Sequence, residues 1–519
     1  MFTMPFFMGA FPLAVMVLLI VWVKMPIHKS VLITLALVLA ITGLYFHTPV
    51  EVLTNSVIYG VLKGLWPIVI VIFGAIFSYN LMLKTGSITI IRNLLSRVSD
   101  DQRILIILIA WCFGSFLEGA AGFSTAVAIP LGILIALGFD PIRAAVAALV
   151  ADTASTVFGA VGIPVTVAGD ILKLPIVGSM GISALTVFQL AIMNIVLPFL
   201  LVIIITKSVK ALKGVFLITL ITGIATLIPE YFIALYVGPQ LTAFGGALVS
   251  MVVLLALVKM RRQETPAEYR IVRNDDNAPV YTKGQIARAV SIYVLMFVFI
   301  LVSSPLFPEV KALLNSVATT FSFPMGGTRV LHATFNWIAT PGMLIIFATF
   351  IGGIFFQKAK LSTFVSTLGS TALQLKNSTI AIATIVAMAT VMDVTGLIAI
   401  VAKPLFEIAG PHYPYLAPLI GAVGTFVTGS VTNANVLFGN LQTIAASNLH
   451  IDPSWLVAAN SAGATATKMI APQSIAIAVS SAGLVNQDST LMKGTAPWAL
   501  LYIVVVILMS GLFAGYFLV

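Results

Sequence analysis

Thr428-Gly-Ser-Val-Thr-Asn-Ala-Asn435 lies inside an apolar run that extends from Tyr415 to Leu437. Two threonines and two asparagines within eight residues, beside a glycine and a serine, interrupt a stretch that otherwise suits lipid. Non-helical backbone is tolerated at membrane depth only where it is buried in protein or lines a cavity. The stretch therefore reads as a broken helix facing a site, and its hydroxyls, side-chain amides and freed N–H groups suit a carboxylate at a half-helix N-terminus. Small residues alone would read as helix-packing surface, but the asparagines and threonines point beyond packing. Thr428, Ser430, Thr432, Asn433 and Asn435 are accordingly candidate substrate-binding residues.

Outward from that break the chain has the composition of a membrane protein. Of its 519 residues 60% are hydrophobic and only 8% charged, and the mean hydropathy is +1.11; soluble proteins carry roughly 25% charged residues. Apolar runs long enough to cross a hydrocarbon core of roughly 30 Å recur, among them 6–23, 30–46, 64–83, 182–206, 241–258, 289–302 and 496–518. The expectation is an all-α polytopic membrane protein with more than ten crossings. The formal charge of +10 falls mostly between spans, as the positive-inside rule requires, so it sets topology and indicates no nucleic-acid partner. The richest segment carries Lys259, Arg261, Arg262, Arg270, Arg273, Lys283 and Arg288 against Glu264, Glu268, Asp275 and Asp276. It is placed in the cytoplasm, as are Lys24 with Lys29, Lys84 to Arg103, and the trio Lys207, Lys210 and Lys213, which puts the N-terminus outside. No basic region precedes 6–23, which reads as a retained helix. The single Cys112 and five scattered histidines show no metal-ligand spacing, so no metal and no cofactor is expected.

Three anchors recur at a nearly constant spacing, the trace of repeated halves in secondary transporters. Phe73-Gly-Ala-Ile-Phe77 pairs with Phe350-Ile-Gly-Gly-Ile354, Glu118 with Asp393, and Asp152 with Gly429, at offsets of 277, 275 and 277. A rival alignment sets Gly114, Phe116 and Gly119 on Gly424, Phe426 and Gly429 at an offset of 310; the first is preferred. The expected organisation is a first transmembrane half over 1–240, a linking helix and basic loop over 241–288, and a second half over 289–519. The repeat is expected to be inverted, although Lys84 to Arg103 and Lys358 to Lys376 both look cytoplasmic by charge. Each half is expected to hold a re-entrant hairpin, turning at Gly138-Phe-Asp-Pro141 or at Ala409-Gly-Pro-His-Tyr-Pro414, and then a break at Asp152–Gly159 or Thr428–Asn435.

Only 17 residues are acidic. Asp140 and Asp452 precede prolines and read as N-caps, while Glu51, Asp100, Asp101, Glu309 and Asp488 sit in polar connections. Asp170, Glu230 and Glu407 are ambiguous, which leaves Glu118, Asp152 and Asp393 as intramembrane carboxylates. A charged group there costs about 2.5–3.5 kcal/mol on insertion scales; the bland reading is a cap or a helix-packing hydrogen bond, and the functional one is proton coupling. Lys468, in a small and polar stretch from Asn460 to Ser474, either neutralises an anionic substrate or snorkels to the interface. Ser115, Gln442 and Gln473 complete the candidate substrate-binding set.

Phe116-Leu-Glu-Gly-Ala-Ala-Gly-Phe123, Phe158-Gly-Ala-Val-Gly-Ile-Pro164, the Thr428–Asn435 break and Lys468-Met-Ile-Ala-Pro-Gln473 resemble signature stretches of the L-lactate permease family, in order and across both halves. The resemblance implies a bacterial inner-membrane permease, not an enzyme, that carries lactate and glycolate with the proton gradient. In the expected mechanism the substrate carboxylate meets the Thr428–Asn435 break and Lys468 while Glu118 or Asp393 takes the proton. Sodium is the alternative coupling ion. An intramembrane aspartyl protease using Asp152 and Asp170 is the rival from another class, and a passive channel a third reading.

Overall fold

A computed structural model of the chain describes residues 3–122, 125–261, 264–271, 279–484 and 486–518. Phe123, Arg262, Arg273, Asp275 and Asp276, singled out above, lie outside the described residues.

Helix α1 (Met4–Val21) is followed by α2 (Ile27–Leu44) and by α3 (Val50–Lys63), which runs on toward α4 (Ile70–Lys84). Pro67 interrupts that line: a residue before proline is pushed to extended backbone, and Trp66 takes φ −132° and ψ 117°. Gly86, at φ +76°, turns the chain into the short α5 (Ser87–Leu95). Then α6 (Gln102–Ile106) passes through a π-helical stretch, Ile107–Phe113, into α7 (Gly114–Ala120), and α8 (Thr125–Ala136) packs back against both. Asp140 caps α9 (Pro141–Ser155) by accepting from the Arg143 N–H at 2.9 Å. Helix α9 ends in a tight turn, and α10 (Gly159–Leu172) opens on three left-handed residues, Ala160, Val161 and Gly162. The long α11 (Ile182–Thr206), α12 (Phe216–Tyr236) and α13 (Pro239–Met260) follow.

The chain resumes with α14 (Lys283–Val302), opened by a capping box between Thr282 and Gln285, and α15 (Pro308–Asn315). An antiparallel hairpin then pairs β1 (Ala318–Pro324) with β2 (Val330–Asn336), an addition to an otherwise helical protein. After it come α16 (Pro341–Ile351), the 34-residue α17 (Leu361–Val394), α18 (Leu397–Ala409), α19 (Tyr413–Thr428) and α20 (Val431–Leu449). Asp452 caps α21 (Pro453–Ala466) at the Ser454 N–H, 2.7 Å away; a break at Lys468–Ile470 separates it from α22 (Pro472–Ala482), and α23 (Asp488–Phe513) follows. Among the described residues eleven helical stretches are long and apolar enough to cross a membrane. Helices α13 and α14 start at Pro239 and Lys283, so the expected joints at 240/241 and 288/289 fall inside helices.

Contacts between ends define two faces. Arg103 Nη1 donates to the Ala211 and Lys213 carbonyls at 2.9 and 3.0 Å, and Arg143 Nη1 to the Ile205 carbonyl at 3.0 Å. The starts of α6 and α9 and the end of α11 therefore share one face, the basic face, and residues 102–136 leave it and return to it. On the far face, Ser510 Oγ donates to the Pro414 carbonyl at 2.7 Å and the Asp452 N–H to the Phe517 carbonyl at 2.8 Å. The start of α19 and the end of α20 thus meet the end of α23, whose own start, at Gly494, abuts Val146 of α9. Residues 413–449 form a second hairpin, entered from the far face.

Two expectations are corrected here. Residues 138–140 and 410–412 connect consecutive helices at their ends, and the hairpin tips lie instead at Ala121–Gly122 and Gly429–Ser430. Both tips need glycine: Gly122 and Gly429 sit at φ +63° and +67°, backbone that disfavours any side chain. The order of elements also recurs at the larger offset. Gly86 and Gly396, both left-handed at a Thr-Gly turn, are 310 apart; Asp140 and Asp452, both capping the helix before a break, are 312 apart. Glu118, at a hairpin tip, and Asp393, at the end of α17, do not occupy matching places.

Glycines let the second half close. A Cβ on Gly463 would lie 2.1 Å from the Pro418 carbonyl oxygen, and one on Gly421 2.0 Å from that of Asn460. Helices α19 and α21 therefore meet backbone to backbone, as small-residue interfaces in membranes allow.

Candidate functional site

Both hairpin tips and both helix breaks converge on one open cavity of about 180 Å³. Glu118 comes from the first tip and Thr428 to Asn433 from the second. The α9–α10 break supplies Thr156, Gly159, Ala160, Ile163 and Pro164, and the α21–α22 break supplies Lys468, Gln473 and Ser474. Ile72 of α4 and Ser378, Ala381 and Ile382 of α17 form the opposing wall. The cavity reaches Ile27, the first residue of α2, and Ile477 of α22, so it extends toward the basic face.

Three helix N-termini are aimed into this space, those of α10, α20 and α22. Unpaired N–H groups and the positive end of the helix dipole favour an anion there. At α20, Ser430 caps the helix by accepting from the Asn433 N–H at 3.3 Å, and Thr428 Oγ1 accepts from the Ser430 N–H at 3.3 Å. Lys468 donates to the Gly429 carbonyl at 3.1 Å, which holds its ammonium at the same tip. Gln473 packs on Gly429, where a Cβ would meet its Oε1 at 2.4 Å. Thr432 and Asn433 line the cavity from the first turn of α20.

Glu118 is 3% exposed, and its Oε1 lies so close to Gly159 that a Cβ there would be 2.1 Å away. Asp152, 2% exposed, stands behind it within hydrogen-bonding reach, and the charge of Lys468 acts on both. Among the described residues no donor reaches Glu118 Oε2 or Asp152 Oδ1. A buried carboxylate oxygen without a donor is costly, and a proton shared between the two groups would satisfy both.

The remaining expected residues divide. Asn435 is buried off the cavity: its Nδ2 donates to the Pro164 carbonyl at 3.0 Å, and its Oδ1 accepts from Asn460 Nδ2 at 3.0 Å and Ser461 Oγ at 3.1 Å. It joins α20 to both broken helices. Gln442 extends that network by donating to Asn460 Oδ1 at 3.2 Å. Ser115 is buried one turn before Glu118, its hydroxyl without a partner among the described residues, away from the cavity lining.

Asp393 does not belong to the site. It accepts from Arg329 Nη2 at 2.5 Å and from Asn440 Nδ2, and its side chain is 34% exposed. Its helix ends one residue later, so it emerges at the far face. Asp170 lies exposed at the other end of α10 from Asp152, so the two form no pair. Glu407 lies near Lys403 on the outside of α18, and Glu230 is buried between helices with Asn194 Nδ2 donating at 2.7 Å.

Sequence reasoning missed Thr156, Ser378 and Ser474 as cavity residues and Asn460 and Ser461 as second members of the network. Ser378 was legible only as one polar residue in a long helix; Asn460 and Ser461 sat in the polar stretch that drew attention to Lys468.

A family profile described as L-lactate permease matches residues 5–517. The L-lactate permease of Streptococcus iniae is 39% identical over 413 residues, covering 80% of this chain and 85% of the relative. The L-lactate permease of Bacillus subtilis (strain 168) is 33% identical, covering 94% and 92%, and the glycolate permease GlcA of Escherichia coli (strain K12) is 31% identical with the same coverage. Among solved structures, the YdaH transporter of Alcanivorax borkumensis gives a TM-score of 0.48 at 13% identity, covering 88% of this chain and 87% of that one.

Proposed function

Because the chain belongs to the L-lactate permease family, we propose that it takes up L-lactate and related small 2-hydroxy monocarboxylates, D-lactate and glycolate among them, by proton symport across a bacterial inner membrane. The N-terminus lies outside, the basic face in the cytoplasm, and the two halves are inverted repeats whose hairpins enter from opposite sides. The cavity is then open inward.

One observation supports the coupling: Glu118 and Asp152 are buried neighbours, and among the described residues no donor reaches Glu118 Oε2 or Asp152 Oδ1. One proton held there and one lactate anion at the α20 N-terminus make a neutral load. Lys468 and the N–H groups of Val431 and Thr432, the two in the 430–433 turn that the Thr428 and Ser430 hydroxyls leave free, bind the carboxylate, and the hydroxyls of Thr432, Ser378 and Thr156 are within the same cavity for the 2-hydroxyl. Sodium is the alternative coupling ion, and the gradient that drives uptake tells the two apart.

The test is uptake of labelled L-lactate into proteoliposomes under an imposed pH gradient or an imposed sodium gradient, with glycolate, pyruvate and acetate as competitors. Proton-driven uptake blocked by glycolate is the expected result. Uptake driven by sodium alone would reassign the carboxylates as cation ligands, and no uptake under either gradient would remove lactate as substrate. Glu118→Gln is expected to abolish proton-driven accumulation while preserving exchange of external for internal lactate; accumulation unchanged from the parent would take Glu118 out of the mechanism.

A further inference from the structure

We infer that Arg329, Asp393 and Asn440 form the outer gate of the transport path, a latch between the β-hairpin and the hairpin that binds substrate. The inference rests on the transport reading above and adds the device that closes its far side.

The three residues come from parts of the chain with different duties. Asn440 is on α20, seven residues beyond Asn433 of the cavity wall, or about 10 Å along the helix. Asp393 is in the last turn of α17, the helix that supplies the opposing wall. Arg329 closes the turn of the β-hairpin, its carbonyl accepting from the Met325 N–H at 2.8 Å. Asp393 bridges the other two, one carboxylate oxygen to each. The β-hairpin is in turn fixed to the α3–α4 line: Asn55 Nδ2 donates to the Pro324 carbonyl at 2.9 Å, Trp66 Nε1 to Thr340 Oγ1 at 3.0 Å, and Trp66 packs on Trp337. A fixed lid is thereby pinned to the arm that carries the substrate site.

Below the latch the path is closed by packing. Leu172 of α10 presses on Gly439, next to Asn440, where a Cβ would meet its Cδ1 at 2.8 Å. Opening toward the far face therefore requires α20 to part from α10, and Asn440 cannot move with it unless Asp393 lets go. The charged and titratable groups around the latch are Tyr59 of α3, within electrostatic reach of Asp393, Asp170 and Arg329, and Lys63, which faces Asp170. Asp393, its side chain 34% exposed, is open to water that can replace the Asn440 amide when α20 moves, while the half-exposed Arg329 steadies the carboxylate by a modest ion pair. That is suited to a contact broken in every cycle, as a buried lock would not be.

The test uses Ala381→Cys as a reporter on the cavity wall, labelled in oriented vesicles by a membrane-impermeant thiol reagent added at the Arg329 side or at the opposite side. Cys112 is buried, and the chain without the reporter gives the background. In Arg329→Gln and in Asp393→Asn, labelling from the Arg329 side is expected to rise roughly threefold to fivefold, the range a surface ion pair supports, and the exchange of both residues, R329D with D393R, should return it toward the parent rate. Unchanged labelling in both single variants, with lactate uptake intact to show that they are folded, would overturn the gate. So would a parent that labels equally from both sides. A labelling response without any lactate uptake in the parent would instead sink the substrate reading and leave the gate standing.

Discussion

Lys468 donates to a main-chain carbonyl and to no carboxylate within ion-pair distance among the described residues. It is thus held in place without being neutralised, which keeps its charge available to an anion. A hydrogen bond to a charged partner is worth about 1.5–3 kcal/mol, so Lys468→Met is expected to raise KM for lactate about 10-fold to 100-fold, read from initial uptake rates. Asp101 obeys a different logic. The sequence placed it in a polar connection, yet it is fully buried, accepting from Arg103 Nε at 2.9 Å and from Arg103 Nη2 and Arg261 Nη1 at 2.8 Å each. Burial raises its pKa, but the hydrogen bonds and charge of the two arginines outweigh that and hold the carboxyl below its ordinary range. A carboxyl depressed on folding adds stability above its unfolded pKa and loses it as pH falls through the folded one. Asp101→Asn leaves the buried Arg103 charge without its carboxylate and is expected to cost about 3–5 kcal/mol, seen as a lower unfolding midpoint in detergent at neutral pH. The gap to the parent should narrow in acid.

At the scale of elements, breaks were easier to read than helix ends. Few polar residues interrupt an apolar chain, so Thr428–Asn435, Asp152–Gly159 and the Lys468 region stood out, and all three line the cavity or adjoin it. The end of α17 did not stand out, because apolar character continues past Gly396 into α18, which lies along the surface. Asp393 therefore looked intramembrane when it is in the last turn. The alternation across 318–324 and 330–336 carried the β-hairpin, but in a chain of long apolar runs the period-two signal is short. The preferred repeat spacing rests on matches among Gly, Ala, Phe and Ile, which are degenerate, whereas the left-handed Thr-Gly turns at Gly86 and Gly396 recur 310 residues apart. Backbone contact between α19 and α21 makes a sharp prediction. Gly463→Val is expected to prevent the second half from closing, with loss of the monodisperse peak in size-exclusion chromatography, whereas Gly369→Ala, where a Cβ would meet nothing within 4 Å, should leave the profile unchanged.

The whole molecule is organised by which face each end reaches. The charge pattern expects the basic segments on one face, and the contacts of Arg103 and Arg143 with residues 205–213 bring three of those chain segments together. A cysteine in place of Lys210 is expected to label from the cytoplasmic side only and one in place of Lys311 from the outside only; the reverse would invert the topology proposed here. The convergence of distant segments was not legible, since nothing local tells Asn435 that it will meet Pro164 across 271 positions. That convergence has an electrical consequence. Because the cavity reaches the hairpin tips from one side, the membrane voltage drops mainly across the packed plug between Pro164 and Leu172 rather than over the full bilayer. Moving Lys468 relative to that plug displaces charge through a steep field. A cycle that is silent in steady current should then still give a transient capacitive signal when substrate is applied.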